Sequence, residues 1–156
     1  MIPYGRQVIN SEDIKKVQEV LKSDFITQGP KTKLFEIKLS ENIGAKFTTT
    51  FNSATSALHI SCLALGVGKG DIVWTCTNSF VASANCALYC GADVDFVDID
   101  ETNYNIDIFD LEKKLKISKS INKLPKVVIP VHFGGLPCDM KNIFRLSKKY
   151  KFKIIE

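Results

Sequence analysis

No run of apolar residues approaches the roughly 20 needed to span a membrane, and the opening stretch MIPYGRQVINSEDIKK has no apolar core of a secretory leader. A cytoplasmic protein without a membrane partner is the expectation. None of the five cysteines, Cys62, Cys76, Cys86, Cys90 and Cys138, forms a Cys-x-x-Cys pair, and their odd number argues against a disulfide framework or a zinc knuckle. They read instead as small core residues. Cys86 and Cys90 stand four apart on one helical face, and His132 and Cys138 lie in a later loop, but no metal is expected from that scatter. The lysines scatter along helices and bunch in KKLKISKSINK, which holds no aromatic residue to stack a base, and in KKYKFK, so the net charge of +4 reads as a solvated basic face rather than a nucleic-acid surface. GVGKGD contains three glycines, yet it precedes a strand pattern instead of following one, which excludes a dinucleotide fingerprint and leaves a surface turn.

What is present is an ordinary globular composition, 45% hydrophobic and 24% charged, over 156 residues. A chain of that length buries about 70% of its unfolded surface, enough for one sizeable core. Ser11 precedes EDIKKVQEVLKS, whose acidic first turn and apolar Ile14, Val17, Val20 and Leu21 predict a helix capped by Ser11. A Gly29-Pro30 turn then leads into Leu34, Phe35, Leu39 and Ile43 at helical spacing, closed by Gly44. From there KFTTTF, DIVWTC, DVDFV, KVVIPV and KFKII alternate with helical stretches. Five strands alternating with helices predict an α/β fold, a mainly parallel sheet with helices on both faces. Ligands of such sheets gather at the carboxyl ends of the strands.

Three places could carry chemistry. In TTTFNSATSALHI a strand pattern runs into Asn52, Ser53, Ala54, Thr55 and Ser56, whose small side chains would let backbone amides at a helix N-terminus crowd an anion such as phosphate. A plain helix cap is the alternative. Phe80 in NSFVASAN falls where a strand ends and a helix begins, either stacking on a flat ligand or packing in the core. His132 in PVHFGGLPCDM either touches a ligand or caps its own loop.

Taken together, IPYGRQ, LKSDFITQGPKTKLFE, FNSATSALHISCLALGVGKGD, NSFVASANCALYCGADVDFVDID and PVHFGGLPCDM resemble the N-terminal part of the DegT family of sugar-nucleotide aminotransferases, over essentially the whole chain. The resemblance is strongest to the members that aminate a UDP-linked 4-keto-6-deoxy sugar in pseudaminic acid biosynthesis. It implies part of the large domain of a fold-type I pyridoxal-phosphate enzyme, normally a homodimer, with glutamate as the expected amino donor. By motif position Ala54, Thr55 and Ser56 would hold the cofactor phosphate and Phe80 would stack on its ring. Tyr4, Asp24, Phe25, Ile26 and Thr27, with Ala54, match segments that contact the sugar nucleotide. Residues 1–30 would form the N-terminal helix and substrate-contacting segment, and residues 31–156 the opening of the cofactor-binding domain.

In the family the KIIE strand continues into an Asp that pairs with the pyridine nitrogen, and the Schiff-base Lys lies further on. The resemblance therefore implies a chain that is the opening part of a longer enzyme, with no catalytic residue assigned inside it. A non-catalytic binder of phosphate or nucleotide sugar, or a relative with the Lys replaced by His, stands as the alternative.

Overall fold

The computed structural model describes Pro3 and residues 5–156, in two compact units, Met1–Thr50 and Phe51–Glu156. The first unit holds α1 (Ser11–Leu21) and α2 (Pro30–Ile43). Helix α1 is capped one residue earlier than the sequence suggests. Asn10, extended at φ −111°, accepts from the Glu12 and Asp13 amides at 2.8 and 3.1 Å, and the Asp13 carboxylate accepts from the Asn10 amide at 2.9 Å. That reciprocal capping box satisfies three orphan amides, which a cap at Ser11 could not do with the acid at position 13. Ser11 becomes the first helical residue. Pro30 occupies the first position of α2, where its missing N–H costs nothing, and Gly44 ends the helix at φ +68°. Gly29 is required by space, since a Cβ there would meet Phe25 Cβ at 2.8 Å.

KFTTTF does not form the expected strand. Its polar groups are taken by α2 instead: Glu36 accepts from the Thr50 amide and hydroxyl at 2.9 and 3.0 Å, and the Ser40 and Thr48 hydroxyls meet at 2.6 Å. The hydrogen bond from the Thr50 amide holds the Glu36 carboxyl below its ordinary value. Phe47, 81% exposed, has no sheet face to pack on. The β-branched pattern is thus spent on hydroxyl bonds rather than on a ladder.

The second unit carries α3 (Ala54–Ala64), β1 (Ile72–Cys76), α4 (Ala82–Tyr89), β2 (Asp93–Val97), α5 (Ile108–Ser120), β3 (Val127–Ile129), α6 (Met140–Tyr150) and β4 (Lys153–Ile154). Its four strands, rather than the expected five, run parallel in the order β2-β1-β3-β4. Side chains alternate across the pleat, so neighbours along one strand feed different cores. Trp74, Cys76, Val97 and Val128 join Leu111 and Leu115 of α5 and Ile143, Leu146 and Tyr150 of α6. Val73, Val127 and Ile129 join Cys62 of α3 and Cys86 and Ala87 of α4. Helices therefore cover both faces, as the strand-helix cadence predicts. At the last strand, Ile154 packs on the first cluster and Ile155 on the second, both half-buried.

Four of the five cysteines are buried, and burial pushes the Cys62 thiol up to about 12. Cys62 and Cys86 stand with their sulfurs 3.7 Å apart between α3 and α4, while Cys138 lies on the opposite face of the sheet. Among the described residues no group of three or more His, Cys, Asp or Glu is placed to hold a metal ion. A thiol reagent at neutral pH is expected to reach half-buried Cys90 first and Cys62 only after unfolding. Rapid labelling of Cys62 in the native protein would contradict this core.

Candidate active site

The parallel register of β1 and β3 brings the segments that leave their carboxyl ends to one edge of the sheet. Thr77–Phe80 leave β1 there, and His132 leaves β3. Helix α3 reaches the same edge indirectly. Lys126, just before β3, donates to the carbonyl of Gly66, just after α3, and to Asp71 at 2.8 Å. That anchors the C-terminus of α3 at the amino edge, and its 11 residues carry the N-terminus across to the carboxyl edge.

At that N-terminus Ser53 is the cap, its hydroxyl accepting from the Ser56 amide at 3.2 Å and meeting the Ser56 hydroxyl at 3.0 Å. Among the described residues the amides of Ala54 and Thr55 have no acceptor. No acidic residue stands in the first turn. Two free N–H donors, the positive end of the helix dipole and small side chains make a place for an anion.

Phe80 is 75% exposed, so it is not a core residue. It borders a small cavity of about 210 Å³ framed by Thr75, Cys76, Thr77, Ser79 and Phe96, too small to enclose a ligand of ordinary size. Its ring offers a flat apolar face at the mouth of β1 instead. Beside it, Asn78 donates from Nδ2 to the Tyr104 carbonyl at 2.8 Å while its Oδ1 is buried without a donor. An unmet buried acceptor costs about 1–3 kcal/mol. The larger concavity of about 710 Å³ lies along α6 and β4 and is open, lined by surface lysines.

His132 is tied at both nitrogens: Nδ1 accepts from the Cys138 amide at 3.0 Å, and Nε2 lies 3.0 Å from a Glu156 carboxylate oxygen. It caps its own loop. Asp24, Phe25, Ile26 and Thr27 form the exposed link from α1 to α2 in the first unit, where the Ser23 hydroxyl fastens to the Val20 and Phe25 carbonyls. Tyr4 lies outside the described residues.

Sequence reasoning missed Asn78 and Asn105. Asn105 is 5% exposed and bonds the loop that carries Phe133 to Pro137. The only signal was the polar cluster of TNYNID, which marks a loop but not a buried amide.

The model of the DegT/DnrJ/EryC1/StrS aminotransferase family matches residues 7–156. The chain belongs to this family. It is 42% identical to the UDP-4-amino-4,6-dideoxy-N-acetyl-beta-L-altrosamine transaminase of Campylobacter jejuni, over 100% of this chain and 40% of that protein. Helicobacter pylori PseC, an aminotransferase involved in the biosynthesis of pseudoaminic acid, superposes with a TM-score of 0.86 at 34% identity, over 97% of this chain and 40% of that one. Bacillus subtilis NtdA with bound cofactor PMP gives 0.82 at 34% identity, over 92% of this chain and 32% of that one. The chain thus spans about 40% of the length of the two sugar-pathway relatives. The parallel sheet with helices on both faces is the fold shared with these DegT-family aminotransferases.

Proposed function

We propose that this chain forms the phosphate- and ring-binding part of a pyridoxal-phosphate-dependent aminotransferase, a cytoplasmic homodimer acting on a UDP-linked 4-keto-6-deoxy sugar in pseudaminic acid or related surface-glycan biosynthesis. Glutamate is the amino donor in this reading. The observation that carries it is the pair of acceptor-free amides at Ala54 and Thr55, on the same sheet edge as an exposed Phe80. An anion site beside a flat aromatic face fits a planar ring bearing a phosphate.

Bound pyridoxal phosphate supplies a carbonyl that takes up the amino group and a ring that withdraws electrons from the reacting carbon. The residues here bind and orient it. The Ala54 and Thr55 amides, with the Thr55 and Ser56 hydroxyls, receive the phosphate, and the helix dipole favours its charge. Phe80 stacks on one ring face and keeps water from it. Tyr4, Asp24–Thr27 and Ala54 are assigned by the resemblance alone to the sugar nucleotide.

Phe80→Ala in the full-length protein is expected to weaken pyridoxal phosphate binding by about 2- to 12-fold, the equivalent of the roughly 0.5–1.5 kcal/mol that aromatic stacking contributes. Titration by cofactor absorbance, alongside an assay of amino transfer from glutamate to the keto sugar, makes the test. Failure of the wild-type protein to bind the cofactor would remove the reading.

A further inference from the structure

We propose that Asn105 is a positioning residue of the carboxyl-edge site: it holds the 133–138 segment so that the Cys138 amide fixes which nitrogen of His132 carries the proton. The inference rests on the reading of this edge as the ligand site.

The segment after β3 has little shape of its own. Phe133–Gly135 is one turn of 3-10 helix, with Gly134 at φ +60° and Gly135 at φ +85°, followed by Leu136 and Pro137. Asn105 supplies what the segment lacks. Its Nδ2 donates to the Leu136 and Pro137 carbonyls at 3.1 and 3.3 Å, and its Oδ1 accepts from the Phe133 amide at 2.9 Å. Asn105 is itself pinned, its amide donating to Asn103 Oδ1 and its carbonyl accepting from the Asp100 amide, both at 2.9 Å. A buried side chain has thus placed both its donors and its acceptor on one loop.

The consequence appears at His132. The Cys138 amide is a donor and points at Nδ1 from 3.0 Å, so Nδ1 must present a lone pair and the proton of the neutral ring sits on Nε2. That proton faces Glu156 Oε1 at 3.0 Å and joins the carboxyl ends of β3 and β4. The Cys138 thiol adds a bond to the Val131 carbonyl at 3.2 Å. If Asn105 releases the loop, the Cys138 amide leaves Nδ1, and the Glu156 carboxylate at Nε2 is left as the single restraint on where the ring proton sits. A neutral histidine is orientable only through the partner of its second nitrogen. Here that partner is a backbone amide whose place Asn105 sets.

The test is long-range proton–nitrogen NMR of the histidine rings in the full chain, with the His132 signals assigned by their loss in His132→Gln. Wild-type protein at neutral pH should show His132 with the proton on Nε2 alone. In a Glu156→Ala background, where the Cys138 amide is the remaining restraint on the ring, Asn105→Ala should convert it from the Nε2–H form to a mixture of the two neutral forms. Asn105→Ser, which loses the reach to the Leu136 and Pro137 carbonyls without burying a charge, should do the same if the alanine variant does not fold. A single Nε2–H form persisting in the folded variants, or a wild-type ring protonated at Nδ1, overturns the inference. Should the spectra change as expected in a protein that neither binds pyridoxal phosphate nor transfers an amino group, the functional reading falls and the control of His132 by Asn105 stands.

Discussion

Thr55→Asp is expected to raise the dissociation constant for pyridoxal phosphate by about 100-fold or more while leaving the fold at least as stable. The two effects have opposite signs for one reason. Thr55 is the second residue of α3, and its amide has no acceptor among the described residues. A carboxylate there meets the positive end of the helix dipole and stabilises α3 by about 0.3–1 kcal/mol. The same carboxylate would stand beside a bound phosphate, and two like charges about 4 Å apart repel by roughly 4 kcal/mol at an effective dielectric near 20. Even with half of that screened by solvent, binding should fall about 30-fold per unit of phosphate charge. Thr55→Val removes only a hydroxyl and keeps both amides, so it should cost about 2- to 12-fold, one hydrogen bond's worth. Cofactor titrations and thermal melts of the two variants decide the matter. If Thr55→Asp binds pyridoxal phosphate like the wild type, the anion does not sit at this helix.

Leu111→Ala should cost about 2–5 kcal/mol of stability, a large share of the 5–15 kcal/mol a domain typically has. Leu111 is fully buried and belongs to the cluster where α5 and α6 meet Trp74 and Val128 of the sheet. Loss of its side chain removes apolar burial and leaves a space that the sheet on one side and α6 on the other cannot close. Phe109, two residues earlier on the same helix, is 87% exposed, and Phe109→Ala should change stability by no more than about 0.5 kcal/mol. Urea unfolding of both variants separates the cases. A larger loss for Phe109→Ala than for Leu111→Ala would mean that α5 presents the other face to the sheet.

These two neighbours show where reading the sequence stops. Phe109 and Leu111 are both apolar residues near the start of α5, and the helical period permits either to face inward; the docking of α5 on the sheet chose Leu111. Phe80 makes the same point at the site. Its place between a strand and a helix left stacking and core packing equally open, and its exposure removed the core alternative. His132 likewise was open between ligand contact and loop capping until both nitrogens were found engaged.

Local patterns that depend on a few neighbouring residues carried through. Gly44 caps α2 in the left-handed region because the lack of a Cβ permits it, and Pro30 starts the helix because its amide is dispensable there. Ser11 was passed over for Asn10 because a cap is selected by which side chain reaches two amides, and the neighbouring Asp13 completes the exchange from the other direction. KFTTTF shows the opposite case. Its strand propensity was real, but the threonine hydroxyls and the Thr50 amide found Glu36 and Ser40, so no ladder formed.

The sequence by itself determined the alternation of strands and helices in the second unit, the coverage of the sheet on both faces, and the small residues at the start of α3, because each is written in periodicity or side-chain size along a short stretch. Only the tertiary structure decided the strand order β2-β1-β3-β4, the arrival of α3 at the same edge as Phe80, and the burial of Asn105 against a loop 28 to 32 residues away. Those depend on which surfaces meet across long stretches of chain, where the free energy comes from burying apolar area and satisfying polar groups at a distance, and no local pattern records the partner.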